Sequence, residues 1–272
     1  KEILKRLVGA IEADNSDSRI TKIATEFVAY RITDENRTSS EIRILNDQKI
    51  QELIWHLLEL FVKNPGRESF WWGKILKALL RIDQDRVAHI AIGALVCEDY
   101  HTRDIARKFL MEMAPDYPDI VMHRLGETIL DDEKGWYFNI DKYTELIQSL
   151  PDRVIIEWLN SNGVEAARRL ARHLPPPYIS EQGEEFVPNL TSFVLSTFED
   201  DDQVFQSFCA GVHSLQMYYG DIASQHEQEV RIAQRFRDHQ FRRIREWAEI
   251  EIRKGQREVQ RWRQEEEERR IE

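Results

Sequence analysis

The chain has 272 residues, of which 42% are hydrophobic and 32% are charged, and its formal net charge at pH 7 is −11. Seven Trp, eight Tyr and twelve Phe argue against intrinsic disorder, and no apolar run approaches the ~20 residues that a membrane-spanning helix needs. The negative charge opposes DNA binding over the whole surface, and the scarcity of turn residues, 11 Gly and 8 Pro, favours long helices over many short strands.

Residues 1–45 are predicted to form an N-terminal pair of helices. Apolar side chains recur at helical spacing in residues 1–13, at Ile3, Leu4, Leu7, Val8 and Ile11. The same pattern returns in residues 21–32, at Ile23, Phe27, Val28 and Ile32. Because the chain starts at Lys1 and not at Met, we expect it to be part of a larger polypeptide, with this pair continuing from an upstream region.

Residues 46–220 are predicted to form further helices in pairs joined by short turns. An acidic residue stands at the start of several of them, as a helix N-cap would: Asp47, Asp85, Asp152 and Asp202. The starts "QDRVAHI", "PDRVIIE" and "DDQVFQS" are alike, and so are the second helices of two pairs. "ARKFLMEMAP" (106–115) aligns without gaps on "ARRLARHLPP" (167–176). A two-helix unit of roughly 40 residues is the period of HEAT repeats.

These paired helices, with their Asp-x-Val starts and "A-R-x-L" second helices, resemble HEAT or armadillo repeats. The resemblance implies an α-solenoid that binds a partner on a curved surface. Residues 150–272 also resemble a C-terminal segment of large bacterial HEAT-containing proteins, some of which serve phage defence. That second resemblance rests on "EWLNSNGVEAARRLARHLPPPY", "FEDDDQVFQSFCAGVHS" and "GDIASQHE", and it assigns no residue a function.

Residues 221–272 are predicted to form one long C-terminal helix of about fifty residues, because only Gly255 and no proline interrupts them. Its second half has apolar residues spaced 4, 3, 4, 3, which is the seam of a coiled coil: Ala248, Ile252, Gly255, Val259 and Trp262. Such a seam would allow a homo-oligomer. An amphipathic helix lying on its own domain explains the same pattern equally well.

Two short stretches are candidate partner contacts. In "RESFWWGK" the neighbours Trp71 and Trp72 point about 100° apart on a helix, so one ring is expected to be partly exposed between Arg67 and Lys74. In "NGVEAARRLARHLPPP" four basic or potentially basic groups occur in six residues. Arg168 and Arg169 match basic residues of the other copy, whereas Arg172 and His173 are peculiar to this one and could bind a phosphate.

No spacing typical of a catalytic, cofactor or metal site is present. The sequence lacks the H-E-x-x-H, paired-cysteine, P-loop and G-x-S-x-G patterns. The three carboxylates Asp200, Asp201 and Asp202 could hold a hard cation, but a helix N-terminus explains them better. We therefore expect no enzyme, no cofactor and no metal.

The expected fold is an all-α, irregular HEAT-like solenoid of helical hairpins with a long C-terminal helix. The expected function is that of a non-enzymatic interaction or sensor scaffold in a larger bacterial cytosolic protein, and the second resemblance implies a setting in phage defence. Its partner would be a protein or another domain of the same polypeptide. The candidate contacts are Trp71, Trp72, Arg172, His173, Ile252, Val259 and Trp262. The alternative is a nucleic-acid-binding solenoid that uses its Arg-rich helices, among them Arg235, Arg237, Arg242, Arg243 and Arg245.

Overall fold

The computed structural model describes residues 2–13, 18–32, 47–63, 69–131, 143–214 and 221–271. The fold is all-α: these residues form thirteen α-helices, one 3-10 helix and one two-stranded hairpin. The chain divides into two compact units, residues 1–128 and 129–272. This division falls inside the predicted repeat region 46–220. None of the described helices is both long and apolar enough to span a bilayer.

The first unit contains six helices and most of a seventh. They are α1 (Glu2–Ala13), α2 (Ser18–Ile32), α3 (Gln48–Lys63), α4 (Ser69–Leu79), α5 (Gln84–Leu95), α6 (Tyr100–Met113) and α7 (Pro118–Leu130). Helices α1 and α2 pack as neighbours, as do α5 and α6. The core of this unit includes Phe61, Trp72, Leu95 and Leu110, whose side chains are buried.

Helix α2 packs through a face that shares only Val28 with the predicted stripe. Its buried side chains are small or polar: Thr21, Ala24, Thr25, Val28 and Ala29. Ile23, predicted to be buried, is 55% exposed, and Tyr30 is 60% exposed. Phe27 and Ile32, the other two residues of the predicted stripe, are half-buried.

The second unit contains a broken helix, a small hairpin and two closing helices. Its elements are α8 (Thr144–Ser149), α9 (Asp152–Leu170), a 3-10 helix (Ala171–His173), β1 (Tyr178–Ile179), β2 (Glu185–Phe186), α10 (Asn189–Thr197), α11 (Asp202–Ser214), α12 (Ile222–Arg235) and α13 (Arg242–Ile271). Gly163 has φ 69° and interrupts α9, where the sequence predicts two helices. Ala167, Leu170, Ala171 and Leu174 recur at the i, i+3, i+4, i+7 spacing of one helix face, and their side chains are buried.

The prediction of one continuous C-terminal helix is wrong. The chain turns between α12 and α13, although residues 236–241 contain neither glycine nor proline. Phe236 is fully buried with its ring 5.9 Å from that of Trp247. Arg245 donates to the carbonyl oxygens of His239 and Gln240 at 2.7 and 3.0 Å. These contacts stabilise a turn that local sequence does not reveal.

Helices α12 and α13 fold back on each other, and Gly255 lies at their close approach. A Cβ on Gly255 would come within 2.5 Å of the Val230 side chain. Ala248 and Gly255, two positions of the predicted seam, are buried. The seam therefore packs in part against α12 of the same chain, as an amphipathic helix on its own domain would.

The predicted N-caps shift by one or two residues at several helices. Asp47 does cap α3, since the Lys49 amide donates to its carboxylate at 2.9 Å. At α5 and α11 the capping carboxylates belong to Asp83 and Asp201. Asp85 and Asp202 therefore lie in the first turn and pair with arginines. Asp152 begins α9, whose N-cap Pro151 makes no side-chain cap bond.

Candidate functional site

The first unit carries a group of exposed aromatic rings where α2 meets α4. Tyr30 and Phe70 are 60% and 58% exposed, and the half-buried Trp71 lies between them. The Trp71 ring centroid is 6.5 Å from that of Tyr30 and 5.3 Å from that of Phe70. We call Tyr30, Phe70 and Trp71, together with Lys74, the aromatic patch. Contiguous exposed apolar surface of this kind is typical of interaction sites.

One cation borders these rings. The Lys74 ammonium lies 4.7 Å from the centroid of Phe70 and 5.3 Å from that of Trp71. Arg31 lies elsewhere on α2, with its guanidinium 5.4 Å from the Phe27 ring, in a cleft that Ile3 and Ile50 also line. Within the described part of the chain, Lys74 forms no ion pair with a carboxylate. The aromatic patch is therefore both apolar and positively charged.

Of the two neighbouring tryptophans, only Trp71 reaches the surface. Trp72 is fully buried and stacks on Phe61, with centroids 5.8 Å apart. The expectation that one ring would be partly exposed is confirmed, but the prediction that Trp72 contacts a partner is wrong. Arg67 lies outside the described residues.

The suspected phosphate site at Arg172 and His173 is not formed as a surface site. His173 is 2% exposed, and its Nδ1 lies 3.0 Å from the hydroxyl of Thr144. Arg172 is half-buried, and its carbonyl group packs so closely on Gly211 that a Cβ there would overlap it. The prediction that His173 contacts a partner is therefore wrong. The local reason is that the α-helix gives way to a 3-10 turn at Ala171, which directs this segment into the core.

Arg168 and Arg169, which precede Arg172 and His173 in the chain, bind groups of the same unit. Arg168 forms a two-pronged ion pair with Asp201, with the closest N–O distance 2.6 Å. Arg169 pairs with Glu165 at 3.0 Å and donates to the carbonyl oxygen of Ile129 at 3.0 Å. These guanidiniums hold the scaffold together.

The predicted contacts on the C-terminal helix are only partly exposed. Ile252, Val259 and Trp262 are each half-buried. Val259 lines a cleft of about 610 Å³ together with Val230 and Gln234 of α12, and the Arg261 guanidinium lies 5.2 Å from the Trp262 ring. These three residues belong to the second unit, whereas the aromatic patch belongs to the first.

Most arginines named for nucleic-acid binding are engaged within their own unit. Arg235 pairs with Glu185, and Arg242 with Glu199. Arg243 is 7% exposed and bound to Asp202 and Glu246. Arg245 donates to carbonyl oxygens in the turn before α13. Arg237 is exposed.

The three consecutive carboxylates face arginines. Asp200 pairs with Arg242, Asp201 with Arg168 and Asp202 with Arg243. Among the residues that the structure describes, no group of three His, Cys, Asp or Glu side chains is arranged to hold a metal ion.

Both cysteines are free and half-buried. Burial raises the pKa of the Cys97 thiol and raises that of the Cys209 thiol to about 12. Both groups are therefore thiols at neutral pH, which is the state of unreactive cysteines.

Sequence reasoning missed two exposed aromatic features. Tyr30 comes seven residues after Ile23 and three after Phe27, so helical spacing places it beside these residues of the predicted stripe and gave no signal that it is exposed. The hairpin β1–β2 places Tyr178 opposite Phe186, with centroids 5.0 Å apart. Its signal was the turn residue Gly183, which has φ 79°, between two short apolar pairs. Comparison with family models, curated proteins and solved structures finds no match to this chain.

Proposed function

We propose that this chain is a non-catalytic protein-interaction module and that the aromatic patch is its docking surface. The observation that carries the proposal is the patch itself: exposed rings of Tyr30 and Phe70 beside the cation Lys74. Aromatic side chains at a surface bury much apolar area when a partner binds. A cation at the rim selects for the charge of that partner.

The partner we propose is a protein segment in which apolar side chains are flanked by carboxylates. Its apolar groups would cover Tyr30, Phe70 and Trp71, and a carboxylate would approach Lys74. Helices that pack as neighbours, such as α1 with α2 and α5 with α6, support a HEAT-like scaffold as the rigid base of this surface. The wider setting, a larger bacterial protein in phage defence, rests on the resemblance of residues 150–272 alone.

Binding of synthetic peptides to the full chain tests this function. Fluorescence anisotropy would compare 15-residue peptides of Leu and Phe flanked by Glu with peptides in which Lys replaces each Glu. We expect the acidic peptides to bind at least ~10-fold more tightly than the basic ones, and the double variant Tyr30→Ala/Phe70→Ala to lose that binding. Tyr100→Ala is the matched control, because Tyr100 is 53% exposed and lies outside the patch.

Equal affinity for both peptide sets would contradict the proposal, as would acidic-peptide binding that survives in the patch variant. Loss of binding in Tyr100→Ala to the same extent would also contradict it, since the effect would then not belong to this surface.

Nucleic-acid binding has weaker support, because the arginines that would contact phosphates are bound to their own carboxylates and carbonyls. It stays a prediction. Affinity for single- or double-stranded probes that falls steeply as salt rises would favour it.

A further inference from the structure

The second unit exposes its own pair of aromatic rings, on the hairpin β1–β2. Tyr178 and Phe186 are directly opposed across the two strands and are 46% and 42% exposed. Arg235 donates to Glu185 at 3.1 Å and to the carbonyl oxygen of Gly183 at 3.4 Å. The two rings therefore lie on a hairpin that Arg235 of α12 stabilises.

The charge of this hairpin is opposite to that of the aromatic patch. Glu181 and Glu184 are exposed at its tip, and neither forms an ion pair with a described residue. Glu185, by contrast, is held by Arg235. The hairpin therefore has the chemistry that the proposed function requires of a partner segment: exposed apolar rings beside uncompensated carboxylates.

We propose that the hairpin of one copy docks on the aromatic patch of a second copy. This inference rests on the proposed function, because it uses the same docking surface. Tyr178 and Phe186 would pack on Phe70 and Trp71, since aromatic pairs favour offset or edge-on contact. Glu181 and Glu184 would approach Lys74.

Such an interface joins two different surfaces, so the assembly is either a closed ring or an open chain of copies. Its core is a few side chains from each copy, far smaller than a standard interface. We therefore expect weak association, visible in the range of about 10 to 300 µM.

Charge reversal in the full chain gives the decisive experiment. The patch variant is Lys74→Glu, and the hairpin variant is Glu181→Lys/Glu184→Lys. In sedimentation velocity, the unaltered protein should associate as its concentration rises, and more so at 50 than at 500 mM salt. Each variant alone should stay monomeric, because in each the patch and the hairpin carry the same sign.

Mixing the two variants should restore association. The acidic patch of the first then meets the basic hairpin of the second, and the remaining patch and hairpin are unaltered. A strict monomer at about 300 µM for the unaltered protein would overturn the inference. So would association that persists in either variant alone, or a mixture that stays monomeric while circular dichroism shows both variants folded.

The peptide experiment separates this inference from the proposed function. If the acidic peptides bind the patch but the protein is monomeric, the self-docking inference fails and the docking surface stands. If the peptides do not bind and the protein is monomeric, both fail.

Discussion

Arg168 and Asp201 form an ion pair in which the carboxylate also begins a helix. The Arg168 Nη2–Asp201 Oδ2 distance is 2.6 Å, and the Val204 amide donates to Asp201 Oδ1 at 2.9 Å. The guanidinium and the amide together hold the pKa of Asp201 at about 2. One side chain thus links the end of α9 to the start of α11.

Asp201→Asn should destabilise the protein at neutral pH while preserving the cap, because an amide oxygen also accepts from a helix amide. The folded-state pKa lies below that of the unfolded chain. The pair's contribution is therefore present above about pH 4 and is lost as pH falls towards 2. Melting temperatures between pH 2 and 7 should show a deficit of a few degrees for the variant at pH 7, and this deficit should shrink as the pH falls.

Asp201→Ala should lower the melting temperature further, since it also removes the cap. A deficit that is constant across this pH range would contradict the ion-pair assignment.

Glu251 should make stability fall as pH rises from about 4.5 to 7. Its carboxyl is largely buried, beside Glu229 of α12 and near Cys209 of α11. Burial raises the pKa of Glu251 to about 7. The charge of Lys254 lowers this pKa and the charge of Glu229 raises it, but both effects are smaller than that of burial. The folded chain then keeps a proton that the unfolded chain releases. The contribution of this proton to the free energy of unfolding is complete below about pH 4.5 and is lost by about pH 7.

Glu251→Gln removes this titration. Urea unfolding should give equal free energies of unfolding for the two proteins near pH 4.5, and the variant should be more stable by about 1–3 kcal/mol above pH 7. A difference between the two proteins that does not change with pH would show that Glu251 titrates normally.

Gly211→Ala should destabilise the second unit strongly, because its Cβ would overlap the carbonyl group of Arg172. Backbone cannot move aside as a side-chain tip can, so we expect a loss of about 3 kcal/mol or more. The control is Gly9→Ala in α1, where a Cβ meets nothing within 4 Å. That change should stabilise by about 0.5–1 kcal/mol through helix propensity. Thermal unfolding of the two variants measures both, and a neutral Gly211→Ala would refute the close packing.

Arg243 should be required for α13 to pack on the turn before α11. Its Nε donates to the carbonyl oxygen of Glu199 at 2.6 Å, its two other nitrogens bind Asp202 and Glu246 at 2.7 Å each, and it lies 4.9 Å from the Phe205 ring. Arg243→Ala should cost about 2–3 kcal/mol, since charged hydrogen bonds are lost and a carbonyl loses its donor.

Arg243→Lys is the matched comparison, because it keeps the charge but cannot reproduce the planar fork. Urea unfolding should place it between the unaltered protein and the alanine variant. If lysine restored full stability, the charge alone would explain the role of Arg243.

Helical content could be predicted because its signal is local. The stripe Ala167, Leu170, Ala171 and Leu174 needs only the 3.6-residue period, and all four side chains are buried. The valines of the repeated helix starts, Val87, Val154 and Val204, are buried as well. Helix starts were predicted less accurately, because neighbouring acids such as Asp83 and Asp85 fit an N-cap equally well in sequence.

The candidate site could be predicted only in part. Trp71 and Lys74 were found because two adjacent tryptophans cannot share one face. Tyr30 joins them only because α2 packs against α4 in the folded chain. Arg172 and His173 looked exposed because a regular helix would place them outside the apolar stripe, but the 3-10 turn at Ala171 changes their direction.

The sequence by itself determined that this protein is helical, where most helices lie and that one of the neighbours Trp71 and Trp72 would reach solvent, because periodicity and local sterics act within a few residues. Only the tertiary structure decided that the C-terminal segment bends at Phe236, that Arg168 and Arg243 serve the scaffold, and that aromatic rings gather on α2 and α4. Each of these depends on contacts between residues far apart in the chain. Burial of Phe236 against Trp247, or of a guanidinium among carboxylates from another helix, contributes free energy that no local pattern records.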